Sequence, residues 1–198
     1  MDITSLEHEQ QQLRNDLTSL IDNLNQDNNQ ENKLNHSRNS FDFIITHCEV
    51  NDRQGVGILV KRIFSDSSQV ISLRSRNLYE GQQSFGESDY CLAYHNSSRA
   101  EILETVSQTF SHKKPKRILC IPYYPDDMLT AIALKDIFHV PLCMYIMDDQ
   151  NIYVNNISDE LTRELLEKSD LCLGISRNLC QAYEQKYQKR FWFLPPVA

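Results

Sequence analysis

Two carboxylates stand side by side at Asp148-Asp149, directly after the apolar run from Pro141 to Met147. Packing does not require two acids at a strand terminus, so the pair reads as ligand-binding or catalytic, with loop solvation as the competing explanation. Its spacing is not that of a DxD metal motif, and no metal is expected. A second group is Tyr123-Tyr124-Pro125-Asp126-Asp127. Tyrosine rings can pack on the apolar face of a sugar while carboxylates accept from its hydroxyls, although Asp126 and Asp127 suit helix capping equally well. A third is Gln54-Gly55-Val56-Gly57. Gly55 and Gly57 at the start of a helix bring backbone N–H groups near a ligand, and the helix dipole favours an anion there; a plain tight turn explains the same pair. Ser176 follows Leu173-Gly174-Ile175 and is either a ligand contact or an N-cap. His47 and His95 could act as bases. Neither has a sequence-adjacent orienting acid, and no nucleophile triad stands out.

What is missing narrows the chemistry. Val60 stands where the third glycine of GxGxxG would be. Arg74 and Arg76 occupy the place of the acid that grips a ribose, which argues against a dinucleotide dehydrogenase. Thr46-His47 do not supply the acid pair that a receiver domain needs.

The elements that must position these residues are legible as a repeating pattern. Apolar runs recur at 41–47, 69–73, 89–94, 117–121, 141–147, 170–175 and 191–194. They are apolar throughout rather than alternating, and helical spacings separate them. Val56, Leu59, Val60 and Ile63 mark one helix. Further helices are predicted over 99–110 behind Ser97 or Ser98, from Asp126 or Asp127 to about Phe138, over 159–168 behind Ser158, and from Ser176 to about Gln188. Such a pattern predicts a Rossmann-like doubly wound parallel sheet of about six or seven strands with helices on both faces. In such sheets ligands bind at the carboxyl ends of the strands, where Asp148, Tyr123, Gly55 and Ser176 all fall, as does Tyr94-His95-Asn96.

The domain organisation is uneven. Residues 1–40 are an N-terminal helix with a heptad-like seam and a polar linker; residues 41–198 are the Rossmann-like domain. Ile3, Gln10, Leu17 and Leu24 share one heptad position, and Leu6, Leu13 and Leu20 the position three later. That seam packs either on its own domain or against a second copy, so a homodimer through residues 3–24 is one expectation. At the other end, Phe191 to Leu194 runs into Pro195-Pro196, the mark of an exit from a folded unit. The chain then stops, and the expectation is one half of a two-part machine.

A net charge of −7 argues against duplex nucleic acid as a partner. No apolar run approaches the ~20 residues of a membrane span, and no signal peptide is evident, so a cytoplasmic location is expected. The six cysteines have no CxxC spacing; four lie inside strand-like runs and Cys48 directly follows one, as small buried hydrophobes in a reducing compartment do; a metal or disulfide framework is the alternative.

The stretch from Gln54 to Phe64 resembles the glycine loop and first helix of GT-B glycosyltransferases of the family 4 type. Met144 to Asp149 is similar to their fifth strand, and Leu173 to Val197 to the run that leads to their interdomain linker. The resemblance implies an N-terminal, acceptor-side half. Gly55 and Gly57 would approach donor phosphates, Asp148 and Asp149 would be the strand-end acids, and a C-terminal half bearing a Glu-x7-Glu motif would hold the nucleotide sugar. The family's usual His stands as Asp148 here. What it implies is therefore half of a nucleotide-sugar-dependent transfer site with a sugar or glycan acceptor, no cofactor and no activity alone. Tyr123, Tyr124, Asp126 and Ser176 are further substrate contacts on this reading. The alternative is a non-catalytic Rossmann-like binding and oligomerisation module.

Overall fold

A computed structural model describes residues 40–196 apart from 65–66, 83–84 and 93–97, together with Gln12 and Asn15. The chain divides into two compact units, Met1–Arg38 and Asn39–Ala198. Of the first, Gln12 and Asn15 are described, both helical and exposed. Every residue of the heptad seam lies outside the described residues, as does Tyr94-His95-Asn96.

The second unit carries one seven-stranded sheet: β1 (Ser40–Thr46), β2 (Val70–Arg74), β3 (Ser88–Cys91), β4 (Lys114–Cys120), β5 (Leu142–Ile146), β6 (Leu171–Gly174) and β7 (Trp192–Phe193). The order is β3-β2-β1-β4-β5-β6-β7, and every neighbouring pair is parallel. Among the described residues five α-helices accompany it: α1 (Gly55–Ile63), α2 (Arg99–Phe110), α3 (Pro125–Phe138), α4 (Asp159–Lys168) and α5 (Arg177–Tyr187). The fold is Rossmann-like α/β, as the apolar strands predict.

Both sheet faces are covered, which is why the strands cannot alternate. Phe43 and Ile45 of β1 pack into a cluster with Phe110 of α2, Met128 and Leu134 of α3, and Tyr183 of α5. Ile44, between them, points to the other face and is equally buried. On α1, Val56, Leu59 and Val60 are buried, each worth about 1.5–3 kcal/mol relative to exposure. The caps follow local chemistry. Ser98 and Glu101 form a capping box on α2, and Ser158 and Ser176 accept the N–H of Leu161 and Leu179. All six cysteines are free; burial pushes the Cys48 and Cys172 thiols up to about 12 and the Cys180 thiol up to about 11. No helix among the described residues is long and apolar enough to cross a membrane.

The topology creates one special place. From β1 the chain steps outward to β2 and β3, then returns to β4 on the other side of β1. Loops leaving β1 and β4 therefore part to opposite directions, opening a crevice at the carboxyl edge between them.

Candidate functional site

His47 is the first residue past β1, and Tyr123 lies three past β4. Their rings meet in that crevice, with centroids 4.0 Å apart; Tyr124 lies 6.2 Å from the same imidazole. Burial holds His47 neutral by lowering its pKa to about 4, partly opposed by the nearby Asp148 carboxylate and reinforced by Arg76. Tyr123 is pushed well above the usual phenol range, first by burial and then by the Asp148 carboxylate that its hydroxyl hydrogen-bonds. Thus β1, β4 and β5 deliver His47, Tyr123 and Asp148 to one place. Asp148 itself is exposed.

Asp149, its neighbour, is placed differently. Its Oδ1 accepts the N–H of Asn151 (3.0 Å) and Ile152 (2.7 Å), and its Oδ2 those of Tyr153 (2.6 Å) and Val154 (3.2 Å). Burial would raise its pKa, but these four N–H groups outweigh burial and hold it below the usual carboxylate range. Asp149 anchors a loop.

The Tyr123-Tyr124 segment is fixed from beneath by Asp127, which is 1% exposed and whose Oδ2 accepts both tyrosine N–H groups at 2.9 Å. Asp127 is the third residue of α3 and closes a capping box on Tyr124, with Pro125 in the first turn. Burial pushes it up to about 6, against hydrogen bonds from Ser75 and the two amides. Above it, Arg76 donates to Asp126 Oδ2 at 2.9 Å and stacks 4.3 Å over the Tyr124 ring. Asp126 is therefore ion-paired, and Tyr124 remains 37% exposed.

The two glycines differ as sharply. A Cβ on Gly57 would lie 2.0 Å from the Asn51 carbonyl oxygen, so this glycine permits close contact between α1 and the loop after β1. A Cβ on Gly55 would meet nothing within 4 Å, so Gly55 is the one facing open space. Ser176 lies past β6, exposed, with its Oγ accepting the Leu179 N–H at 3.2 Å. It is not among the residues that converge on His47.

Sequence reasoning passed over Glu49. It is fully buried and accepts the N–H groups of Leu78 (3.0 Å), Tyr79 (3.1 Å) and Gly81 (2.8 Å). Burial would raise its pKa, yet these bonds and its own N–H hold it below the usual range. Arg74 pairs with Glu49 and with Asp89, tying the ends of β1, β2 and β3 together. The Glu49 carboxylate holds the Glu80-Gly81 turn, where both residues take positive φ, and no pattern in the sequence marks that partnership. No group of three or more His, Cys, Asp or Glu suited to a metal ion occurs among the described residues.

No family model matches the chain, and no curated protein matches it. Among solved structures it is similar to a proposed UDP-N-acetylglucosamine 2-epimerase of Listeria monocytogenes, at a TM-score of 0.52 and 7% identity. The likeness covers 79% of this chain and 44% of that chain, so the chain spans less than half the length of its structural neighbour. At that identity the likeness is one of fold alone, Rossmann-like α/β.

Proposed function

We propose that residues 39–198 form the acceptor side of a nucleotide-sugar-dependent sugar-transfer site, inactive until a donor-binding half completes it. The supporting observation is the meeting of His47, Tyr123 and Asp148 at the point where strand order reverses. The structural neighbour, named for a nucleotide-sugar substrate, and the sequence resemblance to GT-B glycosyltransferases point the same way.

On this reading each group has a part. An acceptor hydroxyl in the crevice donates to the neutral His47 ring. As the acceptor oxygen bonds to the donor's anomeric carbon, that carbon's bond to the nucleoside diphosphate breaks and the diphosphate leaves with the electron pair; the hydroxyl proton passes to His47, and the Asp148 charge stabilises the imidazolium that forms. The Tyr123 hydroxyl holds Asp148 in place, and Asp149 fixes the loop that follows. Arg76 supplies positive charge, Tyr124 an exposed ring for the sugar face, and Asp126 keeps Arg76 in position. Gly55 leaves room for donor phosphates near the α1 N-terminus, where the dipole favours anions. Gly57 keeps α1 close enough to present that end, and Ser176 contacts substrate from the β6 edge.

The test is UDP release from UDP-sugars in the presence of neutral acceptors, with and without a second chain bearing the Glu-x7-Glu donor half. Release is expected with the second chain, falling by about 10²-fold or more in His47→Ala and Asp148→Asn. Robust release by the chain alone, or full activity in both variants, would refute the proposal.

A further inference from the structure

Beneath the crevice two buried oxygens lie side by side without a settled hydrogen bond. Asp127 uses Oδ2 for the Tyr123 and Tyr124 amides, each at 2.9 Å. Its Oδ1 has no aligned partner, and neither has the Oγ of Ser75, a residue 3% exposed. The Ser75 hydroxyl is nevertheless close enough to lower the Asp127 pKa. A buried hydroxyl and a buried carboxyl oxygen left unpaired cost free energy, so one proton between them decides the arrangement. When Oδ1 carries the proton, it donates to Ser75 Oγ. When that proton has gone to solvent, the Ser75 hydroxyl turns and donates to Oδ1. The second bond is charge-assisted, hence the shorter and stronger of the two.

Both residues hold parts of the crevice. Ser75 follows β2; its N–H donates to the Thr46 carbonyl at 3.3 Å, and its carbonyl accepts from Arg76 at 2.7 Å. Arg76 pairs with Asp126 and stacks on Tyr124, whose amide Asp127 holds. Contacts thus run in a ring from Ser75 through Arg76, Tyr124 and Asp127 back to Ser75. The other groups near the carboxyl are Cys48 after β1, Cys120 at the end of β4, Asp126, and Tyr123 with His47 beyond it. Burial pushes Cys48 up to about 12, holds Cys120 and Tyr123 well above their usual ranges and lowers His47 to about 4. None of those four changes charge between about pH 5 and 7. We propose that Asp127 and Ser75 form a proton-operated latch that sets the positions of Arg76 and the Tyr124 ring together. Loss of the proton draws Ser75 onto the carboxylate and takes Arg76 with it, against Tyr124 and Asp126; uptake relaxes that pull and frees the guanidinium towards the crevice. As regulation of sugar transfer the latch rests on the reading above. Its readout needs no transfer, so the two fail separately.

The experiment follows ¹H–¹⁵N spectra of the full chain from about pH 5 to 8, above the His47 transition. The amides of Ser75, Arg76, Tyr123 and Tyr124 and the Arg76 Nε–H are expected to share one inflection at about 6. Asp127→Asn keeps the shape, cannot ionise and should flatten all five curves. Ser75→Ala should leave the tyrosine inflection, move it to higher pH because the carboxylate loses a donor, and largely abolish the Arg76 response. An acid that merely capped α3 would move the tyrosine amides alone. No inflection in that range, an inflection that survives Asp127→Asn, or an Arg76 response as large in Ser75→Ala as in the parent would overturn the proposal.

Discussion

Asp127→Asn tests whether a buried acid underpins the tyrosines of the site. Asp127 is almost completely buried, and its carboxyl titrates near 6 instead of 3.8, first through burial. The folded chain thus binds this proton more tightly than the unfolded chain does. The stabilisation it brings is fully present below about pH 4 and is lost as pH rises through about 6. A displacement from 3.8 to about 6 corresponds to roughly 3 kcal/mol, an order-of-magnitude figure. Asparagine imitates the neutral acid: its carbonyl can accept from the Tyr123 and Tyr124 amides while its NH₂ donates towards Ser75. At about pH 8 the variant should therefore be more stable than the parent, by up to ~3 kcal/mol, and near pH 4 the two should converge.

The parent's own pH profile cannot decide this, because His47 runs the other way. Its pKa falls from 6.5 to about 4 on folding, through burial, so its stabilisation is present above 6.5 and lost as pH falls through about 4. The two slopes oppose each other over the same window. The difference between parent and Asp127→Asn removes the His47 contribution, and urea denaturation midpoints at matched slopes measure it. A difference independent of pH between about 4 and 8 would refute the reasoning, as would an asparagine variant destabilised at pH 8.

Gly57→Ala should cost several kcal/mol in chemical denaturation, because its Cβ would collide with Asn51 backbone at 2.0 Å, whereas Gly55→Ala should change stability by less than about 1 kcal/mol. A tolerated Gly57→Ala would contradict the close approach of α1 to that loop. Asp149→Ala should speed amide exchange at residues 151–154 and lower stability by about 1–3 kcal/mol, while Asp148→Asn should leave exchange there unchanged. If the heptad seam joins two copies, removing residues 1–38 should turn a dimer into a monomer in analytical ultracentrifugation; a monomeric full-length chain would rule that seam out as a dimer contact.

The sheet was readable because it depends on features that are local in sequence. Apolar runs such as Phe41–Thr46, separated by helices, fit a parallel sheet covered on both faces, and Ser98, Ser158 and Ser176 mark the helix starts that they cap. The edge at which to look for a site followed from topology alone. Partnerships across the sheet were not readable. That His47 faces Tyr123 depends on β4 lying beside β1, a pairing of segments more than 70 residues apart. Glu49 offers no pattern at all: its carboxylate is committed to amides some 30 residues away, and only the fold shows it buried.

The Asp148-Asp149 pair shows why residue type cannot assign a role by itself. The two acids are chemically identical and adjacent, yet beyond the end of β5 they meet different surroundings. Asp149 turns into its own loop and meets four N–H donors, which satisfy its charge and leave little free for chemistry. Asp148 turns to the crevice, where one tyrosine hydroxyl is its partner and a neutral imidazole lies within electrostatic reach. The first arrangement is a carboxylate used as an anchor; the second is a carboxylate with unused capacity beside a group able to take a proton. Their roles are also coupled. The loop that Asp149 ties down begins one residue after Asp148, so releasing that anchor frees the backbone that aims Asp148. Asp149→Ala should then impair transfer indirectly, together with faster exchange at residues 151–154, whereas Asp148→Asn should impair it with exchange unchanged. Loss of transfer in Asp149→Ala with the loop still protected would mean that Asp149 takes part in the chemistry directly, and the division of labour drawn here would be wrong.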